Sequence, residues 1–405
     1  MADPSPLLSF CAIVKNEVQQ LAGCLESVRG VADELIVLDT GSTDGTPELA
    51  AQLGAQVFHF PWCDDFAIAR NQSLSYAKGQ WVLVLDADET LLPEFVPTLR
   101  TLLAQTDYLA FNLVRQEVGA SQSPYSLVSR LFRNRPDVCF SRPYHAMIDD
   151  SVAEVLARQP QLKVATVPQV AIAHTGYSRA NLQARDKLNF AARLMESYRA
   201  KHPQDPYVCS KLGALYVEAG DLERGIDLLD RALAGQPDNP QIQFELHYHR
   251  AIAASQQGDW AGAAHHYQQA LALPVLEPLK LGAYLNLSSL LHKQGNFQGA
   301  IGLCEKALAV DPQFANAYYN LGLALKATGK LVEASRAYQR AIELEPEHAN
   351  AYQNLGVVLM HRGQLAQAAQ VFSRAIELHQ AQNRPQAAEQ LRQGLQGLGM
   401  QLPTH

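Results

Sequence analysis

The chain has 405 residues, of which 47% are hydrophobic and 18% charged, a balance that excludes a disordered or low-complexity protein and leaves room for roughly two or three domains. The formal net charge of −7 falls entirely within residues 1–180, while 181–405 balance to zero, so no basic patch points to nucleic acid as a partner. The six cysteines form no CxxC pair and stand at no metal-ligand spacing, which is the usage of reduced thiols in a cytoplasmic protein.

Apolar residues 7–14 have no basic residue before them and no small-residue cleavage site after them. They read as a buried strand and not a signal peptide, and no later run is long enough for an integral membrane segment. The pattern then predicts a helix over 16–28, a strand over 34–38, and a helix from Pro47 with Thr46 as its N-cap. A strand over 56–60, a helix over 66–77 and a strand over 81–85 follow. Short apolar strands alternating with helices predict an α/β domain with a mostly parallel sheet, whose ligands gather beyond the carboxyl ends of the strands. Acidic residues stand at those ends: Asp39 in LIVLDTGSTDGT, Asp64 and Asp65 in FHFPWCDDFAIARN, and Asp86, Asp88 and Glu89 in WVLVLDADET. Each one alone reads as a turn residue or helix cap, but three such groups in register point to a shared site.

The C-terminal half repeats. Residues 281–314, 315–348 and 349–382 align without gaps in units of 34. Position seven is Leu287, Leu321 and Leu355; position eight is Ser288, Gly322 and Gly356; position fifteen is Gly295, Gly329 and Gly363; position twenty-four is Cys304, Tyr338 and Phe372. Small residues at eight let two antiparallel helices approach while large ones at twenty-four fill the gap. Looser copies cover 206–239 and 244–277. The pattern resembles the tetratricopeptide repeat and implies an all-α solenoid of five units over 206–382. A connecting helix at 181–205 precedes it and a capping helix and tail at 383–405 follow. Position six is asparagine in each regular unit (Asn286, Asn320, Asn354). These amides resemble the ladders with which some repeat-bearing glycosyltransferases hold extended protein substrates, though the same residue also serves local helix contacts.

CAIVKNE, DTGSTDGT, DDFAIARN and DADE, followed by RLFRN at 130–134 and HTGY at 174–177, resemble the family 2 glycosyltransferases of GT-A fold, in the bacterial branch fused to tetratricopeptide repeats. The resemblance starts at CAIVKNE and runs to about Tyr177, within a domain expected over residues 1–180, and implies transfer from a nucleotide-sugar donor, with a UDP-sugar expected, by an inverting enzyme that uses Mg or Mn. It assigns Asp88 to the metal, Asp86 to the metal or the ribose, and His174 to the metal as a late ligand, with a satisfied core histidine after an apolar strand as the alternative for His174. Asp39, Asp65 and Arg70 fall to the nucleotide, with an ion pair from Arg70 to Asp65 or Asp39 as the alternative. Asp86 and Asp88, two apart on extended backbone, would point the same way. The general base is the least defined position. Relatives carry a His-Glu pair after RLFRN, whereas this chain has His145-Ala146. Asp149 or Asp150 then becomes the candidate base, with His145 next. The alternative is a domain that binds nucleotide without transferring sugar and serves as a scaffold. The repeats are expected to bind a protein partner or acceptor.

Overall fold

A continuous apolar run such as LSFCAIV can be satisfied only by burial on both faces, the environment of a central parallel strand. In the computed structural model, which describes residues 7–120, 122–176 and 182–400, that run is β1 (Leu8–Val14) and is almost wholly buried. It lies between β2 (Glu34–Asp39) and β4 (Trp81–Val84), both parallel to it, and β3 (Gln56–His59) pairs parallel with β2. Three helices return the chain between these strands: α1 (Leu21–Val28), α2 (Thr46–Gln52) and α3 (Phe66–Leu74).

The polarity changes after β4. Strand β5 (Glu89–Leu91) and helix α4 (Val96–Leu103) lead into β6 (Tyr108–Glu117) and β7 (Tyr125–Arg133), and then into α5 (Asp149–Arg158) and β8 (Lys163–His174). The eight strands form one sheet in the order β3-β2-β1-β4-β7-β6-β8-β5. β7 runs antiparallel to β4 and β6, and β5 antiparallel to β8. Leu21, Leu25, Phe95 and Leu99 cover one face with Trp81 and Phe111, while Val152, Val155, Phe132 and Phe140 form a second cluster with Cys11 and Val82.

Two local expectations are corrected. The helix expected from residue 16 starts at Leu21, because Asn16 adopts a φ of 57°. Its side chain accepts from the Thr43 amide at 2.8 Å and its own amide donates to Ser42 at 2.9 Å, tying the first loop to the second. Thr46 is the first residue of α2 and not its cap. Its hydroxyl donates to Asp44 at 2.5 Å and accepts from the Glu17 amide at 2.9 Å.

The chain divides into two compact units, Met1–Ile242 and Gln243–His405. The first also holds α6 (Leu182–Arg199), α7 (Pro206–Ala219) and α8 (Leu222–Ala234). Asp205 caps α7 by accepting from the amides of Tyr207 and Val208, and its carboxylate meets Arg142 at 2.8 Å. Helix α9 (Pro240–Gln257) starts in the last residues of the first unit and continues into the second, where α10 (Trp260–Ala272), α11 (Leu281–Lys293), α12 (Phe297–Val310), α13 (Ala315–Ala327), α14 (Leu331–Leu344), α15 (Ala349–His361), α16 (Leu365–Ala381) and α17 (Pro385–Gly397) follow. Glycine at position eight has a steric cause. A Cβ on Gly322 would stand 2.6 Å from the Tyr338 ring, and one on Gly356 2.6 Å from the Phe372 ring. In the first of the three regular units Ser288 fills that place beside the smaller Cys304, 3.5 Å away.

Candidate active site

Parallel strands deliver their last residues to one sheet edge, and the acidic residues arrive there. Asp39 ends β2 almost fully buried. Its carboxylate accepts from the amides of Gly41 and Ser42 (3.2 and 3.1 Å), and His59 Nδ1 stands 3.3 Å away. Burial opposes ionisation, but the bonds from Ser42, Gly41 and His59 prevail and hold its carboxyl below the ordinary value. Asp65 caps α3, accepting from the Ile68 amide at 3.0 Å. The Phe66 amide donates to the Pro143 carbonyl at 3.0 Å, and Asn71 bonds the backbone of Phe140 in both directions. These bonds fasten the DDFAIARN segment to the loop that carries His145.

Asp86 and Asp88 do not point the same way, because β4 ends at Val84 and the acidic residues lie in a turn closed by the Glu89 amide on the Asp86 carbonyl at 3.0 Å. Asp86 meets Arg70 Nη2 at 2.6 Å through one oxygen and Arg130 Nη2 at 2.8 Å through the other. Desolvation would raise its carboxyl, but the Arg130 and Arg70 charges hold it far below the ordinary range. Arg70 thus pairs with Asp86 and with neither Asp65 nor Asp39. Its Nε and Nη1, and Arg130 Nη1, are buried without a hydrogen-bond partner.

Asp88 turns instead toward His174. Its Oδ2 lies 3.3 Å from His174 Nε2, and the Thr175 amide donates to its backbone carbonyl at 3.0 Å. His174 Nδ1 lies 2.5 Å from Glu117 Oε2. Burial lowers the imidazole's proton affinity, but the bonds to Asp88 and Glu117 raise its pKa to about 9. Gly176 passes directly over this pair. A Cβ there would stand 2.5 Å from His174 Nε2 and 2.9 Å from Asp88 Oδ2. The missing side chain therefore leaves open the spot where the two donor atoms converge. Among the described residues no group of three or more His, Cys, Asp or Glu side chains is placed to hold a metal. Two protein donors suffice for a cation whose remaining ligands are substrate phosphates and water. Tyr177, the last residue of the HTGY segment, lies outside the described residues.

The three candidate bases separate. Asp149 and Asp150 open helix α5 and do not lie in the preceding loop. Asp150 accepts from Arg142 and from Ser141, each at 2.6 Å, and its charge is matched there. Asp149 keeps a buried Oδ2 that accepts no hydrogen bond. Burial raises its carboxyl above the ordinary value. His145 is exposed, in a left-handed conformation with φ of 51°, its ring edge-on to Tyr144 at 4.6 Å. Ala146 packs against the second apolar cluster.

Sequence reasoning assigned no role to three residues at this edge: Arg130, Arg115 and Glu117. Arg130 sits inside the quoted RLFRN segment, so its signal was present. Arg115 and Glu117 lie on β6, where the motif pattern is thin. Arg115 pairs with Glu89 and, at 2.7 Å, with Glu117.

The repeat asparagines all have intramolecular partners. Asn286 donates to the Tyr248 hydroxyl (3.3 Å), Asn320 to Ser289 (3.1 Å), and Asn354 to the Asn350 carbonyl (3.0 Å) while accepting from Lys326 (2.6 Å).

The chain matches the model of Glycosyl transferase family 2 over residues 9–157, and that of the tetratricopeptide repeat over 248–318 and 319–388. It is 44% identical to a TPR repeat-containing protein of Synechococcus elongatus, over 75% of this chain and 76% of that one. It is 30% identical to an uncharacterized glycosyltransferase of Rickettsia bellii, over 45% of this chain and 64% of that one. Identity to the glycosyltransferase SunS of Bacillus phage SPbeta is 24%, over 50% and 47%. The chain thus spans less than two thirds of the length of these two glycosyltransferase relatives. A solved structure of MamA from Desulfovibrio magneticus RS-1 matches 44% of this chain and 97% of its own at 24% identity and a TM-score of 0.39. The family 2 match at the N-terminus, the glycosyltransferase relatives and the repeat matches that follow in the sequence make this a glycosyltransferase with an appended repeat array. The chain belongs to the family 2 glycosyltransferases fused to tetratricopeptide repeats. No helix among the described residues is long and apolar enough to cross a membrane.

Proposed function

We propose that this enzyme transfers a sugar, with inversion, from a nucleotide-diphosphate donor such as a UDP-sugar to an acceptor hydroxyl. A divalent cation, Mg or Mn, is held by Asp88 and His174. The observation that carries the reading is the convergence of Asp88 Oδ2 and His174 Nε2, 3.3 Å apart, beneath a glycine whose Cβ would occupy that place. Such a cation, when bound, offsets the charge that develops on the leaving diphosphate.

The remaining work falls to the chain's own groups. Asp39 accepts from the nucleoside. Arg70 and Arg130 fix Asp86 toward the ribose through their charge-assisted bonds to its two oxygens. Asp65 is already spent on capping α3 through one oxygen and keeps the second for the base. Asp149 is the general base. Its unbonded Oδ2, buried before the acceptor arrives, must be uncovered as the acceptor binds; it then takes the hydroxyl's proton as the new glycosidic bond forms at the anomeric carbon, and the diphosphate leaves with the electron pair of the broken bond. A carboxyl held above its ordinary value by burial is a stronger proton acceptor than an exposed one. The repeat array recruits a protein partner or acceptor. The amides at position six are not free rungs, so a bound peptide would have to exchange with their present partners.

The test is Asp88→Ala. Mn-dependent binding of UDP should be lost while the circular dichroism and Tm stay near wild type, because Asp88 lies beyond the strand and outside the core. A variant that binds UDP and Mn as wild type does would overturn the assignment.

A further inference from the structure

The sheet register brings three ionisable residues into one row. Glu89 on β5 pairs with His174 on β8, and His174 pairs in turn with Glu117 on β6. Registered neighbours on adjacent strands point to the same face, so the imidazole stands between two acidic side chains. Glu89 turns away from it, accepting from the Asp86 amide at 2.8 Å and from Arg115. Glu117 does not turn away. Its Oε2 lies 2.5 Å from His174 Nδ1. Its Oε1 accepts from Ser126 at 2.5 Å and from Arg115 Nε at 2.9 Å. Only 5% of the residue is exposed, so the carboxylate has one orientation available and both oxygens are occupied.

We infer that Glu117 is a positioning residue: it holds the Nδ1 proton of His174, and so fixes the ring with Nε2 aimed at Asp88 and the cation place beneath Gly176. The inference rests on the metal reading above and goes beyond it by assigning the carboxylate behind the ligand. A histidine ligand needs its other ring nitrogen bonded to be locked in one tautomer and one rotamer, and a carboxylate there also raises its basicity as a ligand. Without Glu117 the imidazole could rotate about its χ angles, and the 3.3 Å approach to Asp88 would be one arrangement among several. The alternative is that Glu117 serves only to neutralise buried Arg115. That role would be met by the Glu89–Arg115 pair and the Ser126 bond, and would require nothing of His174.

The two roles separate in Glu117→Gln, which keeps the shape and an acceptor oxygen but not the charge. Mn²⁺ alone, titrated by electron paramagnetic resonance, should bind about 10–100-fold more weakly than to wild type. In the metal-free protein, ¹⁵N-edited spectra should show the His174 Nδ1 proton moving upfield from its strongly bonded position. A variant with Mn²⁺ affinity within twofold of wild type and an unchanged His174 signal would overturn the positioning role. If wild type itself takes up no Mn²⁺, the metal reading falls and the imidazole spectrum decides alone. If Glu117→Gln does not fold, Ser126→Ala removes one of the bonds that orient the carboxylate. It should then move both readouts in the same direction by a smaller amount, and no movement in either would overturn the role.

Discussion

Asp149 and Asp150 are adjacent carboxylates with opposite surroundings. Asp150 is matched by Arg142, while Asp149 has an unbonded oxygen and a carboxyl raised by burial. Asp149→Asn should lower kcat by about 10²–10⁴-fold with donor affinity nearly unchanged, the scale of a lost general base. Asp150→Asn should act mainly on stability. The pH profile carries a sign that can be checked. A raised carboxyl loses its proton only above the ordinary carboxylate range, so the acid limb of kcat should lie higher than a surface aspartate would place it, and should vanish in Asp149→Asn. The same shift means that the ionised carboxylate opposes folding, so the stability contribution of Asp149 is lost as pH rises through its folded value. At neutral pH the Asn variant should therefore melt no lower than wild type. Gly176 gives a second prediction. Gly176→Ala places a methyl 2.5 Å from His174 Nε2. It should abolish Mn²⁺ uptake measured by paramagnetic resonance, and it should lower the Tm, because the His174 ring held by Glu117 has to move.

At the scale of elements, the repeat was legible because its constraints are local. Tyr338 and Phe372 sit on the glycines one helix back, and the glycines at position fifteen end their helices in a left-handed turn, with φ of 77° at Gly329 and 75° at Gly363. Gly356→Ala forces the Phe372 ring to shift and should cost about 1–3 kcal/mol in denaturant unfolding. Phe372→Leu in the same chain should recover part of it. Parallel strands β1, β2 and β4 were legible for a similar reason, since unbroken apolar runs admit few other fates. Strands β6 to β8 were not. Their residues alternate irregularly, and the register shifts on both sides of β6 erase the simple period of two. The divergence of Asp86 from Asp88 is hidden in the sequence as well, because DADE reads equally as extended backbone and as the turn that the Glu89 amide closes on the Asp86 carbonyl. The asparagine ladder illustrates the reverse limit. The residue pattern is real, but the amides bond to neighbouring side chains and backbone. Replacing Asn286, Asn320 and Asn354 together by alanine should lower stability by about 0.5–1.5 kcal/mol per lost bond, seen as a reduced Tm. An unchanged Tm would instead return the amides to a binding role.

For the molecule as a whole, the feature with the widest consequence is Arg142. Its side chain is 7% exposed, and its guanidinium meets both Asp150 at the start of α5 and Asp205 at the start of α7. Losing Asp205 removes the better buried of its two partners and leaves only the half-exposed Asp150 to match the charge. A fragment stopped at residue 180 would lack Asp205 and should be recovered largely insoluble, whereas one carried to residue 242 should fold and melt cooperatively. The inheritance of such a protein is constrained accordingly. A 34-residue unit duplicated or deleted beyond residue 281 arrives with its own glycine and aromatic contacts and leaves Arg142 untouched, so lineages can lengthen or shorten that end freely. The helix that supplies Asp205 is not exchangeable in this way. A chimera of two relatives joined after this helix should therefore keep the Arg142–Asp205 contact, and one joined before it should melt lower.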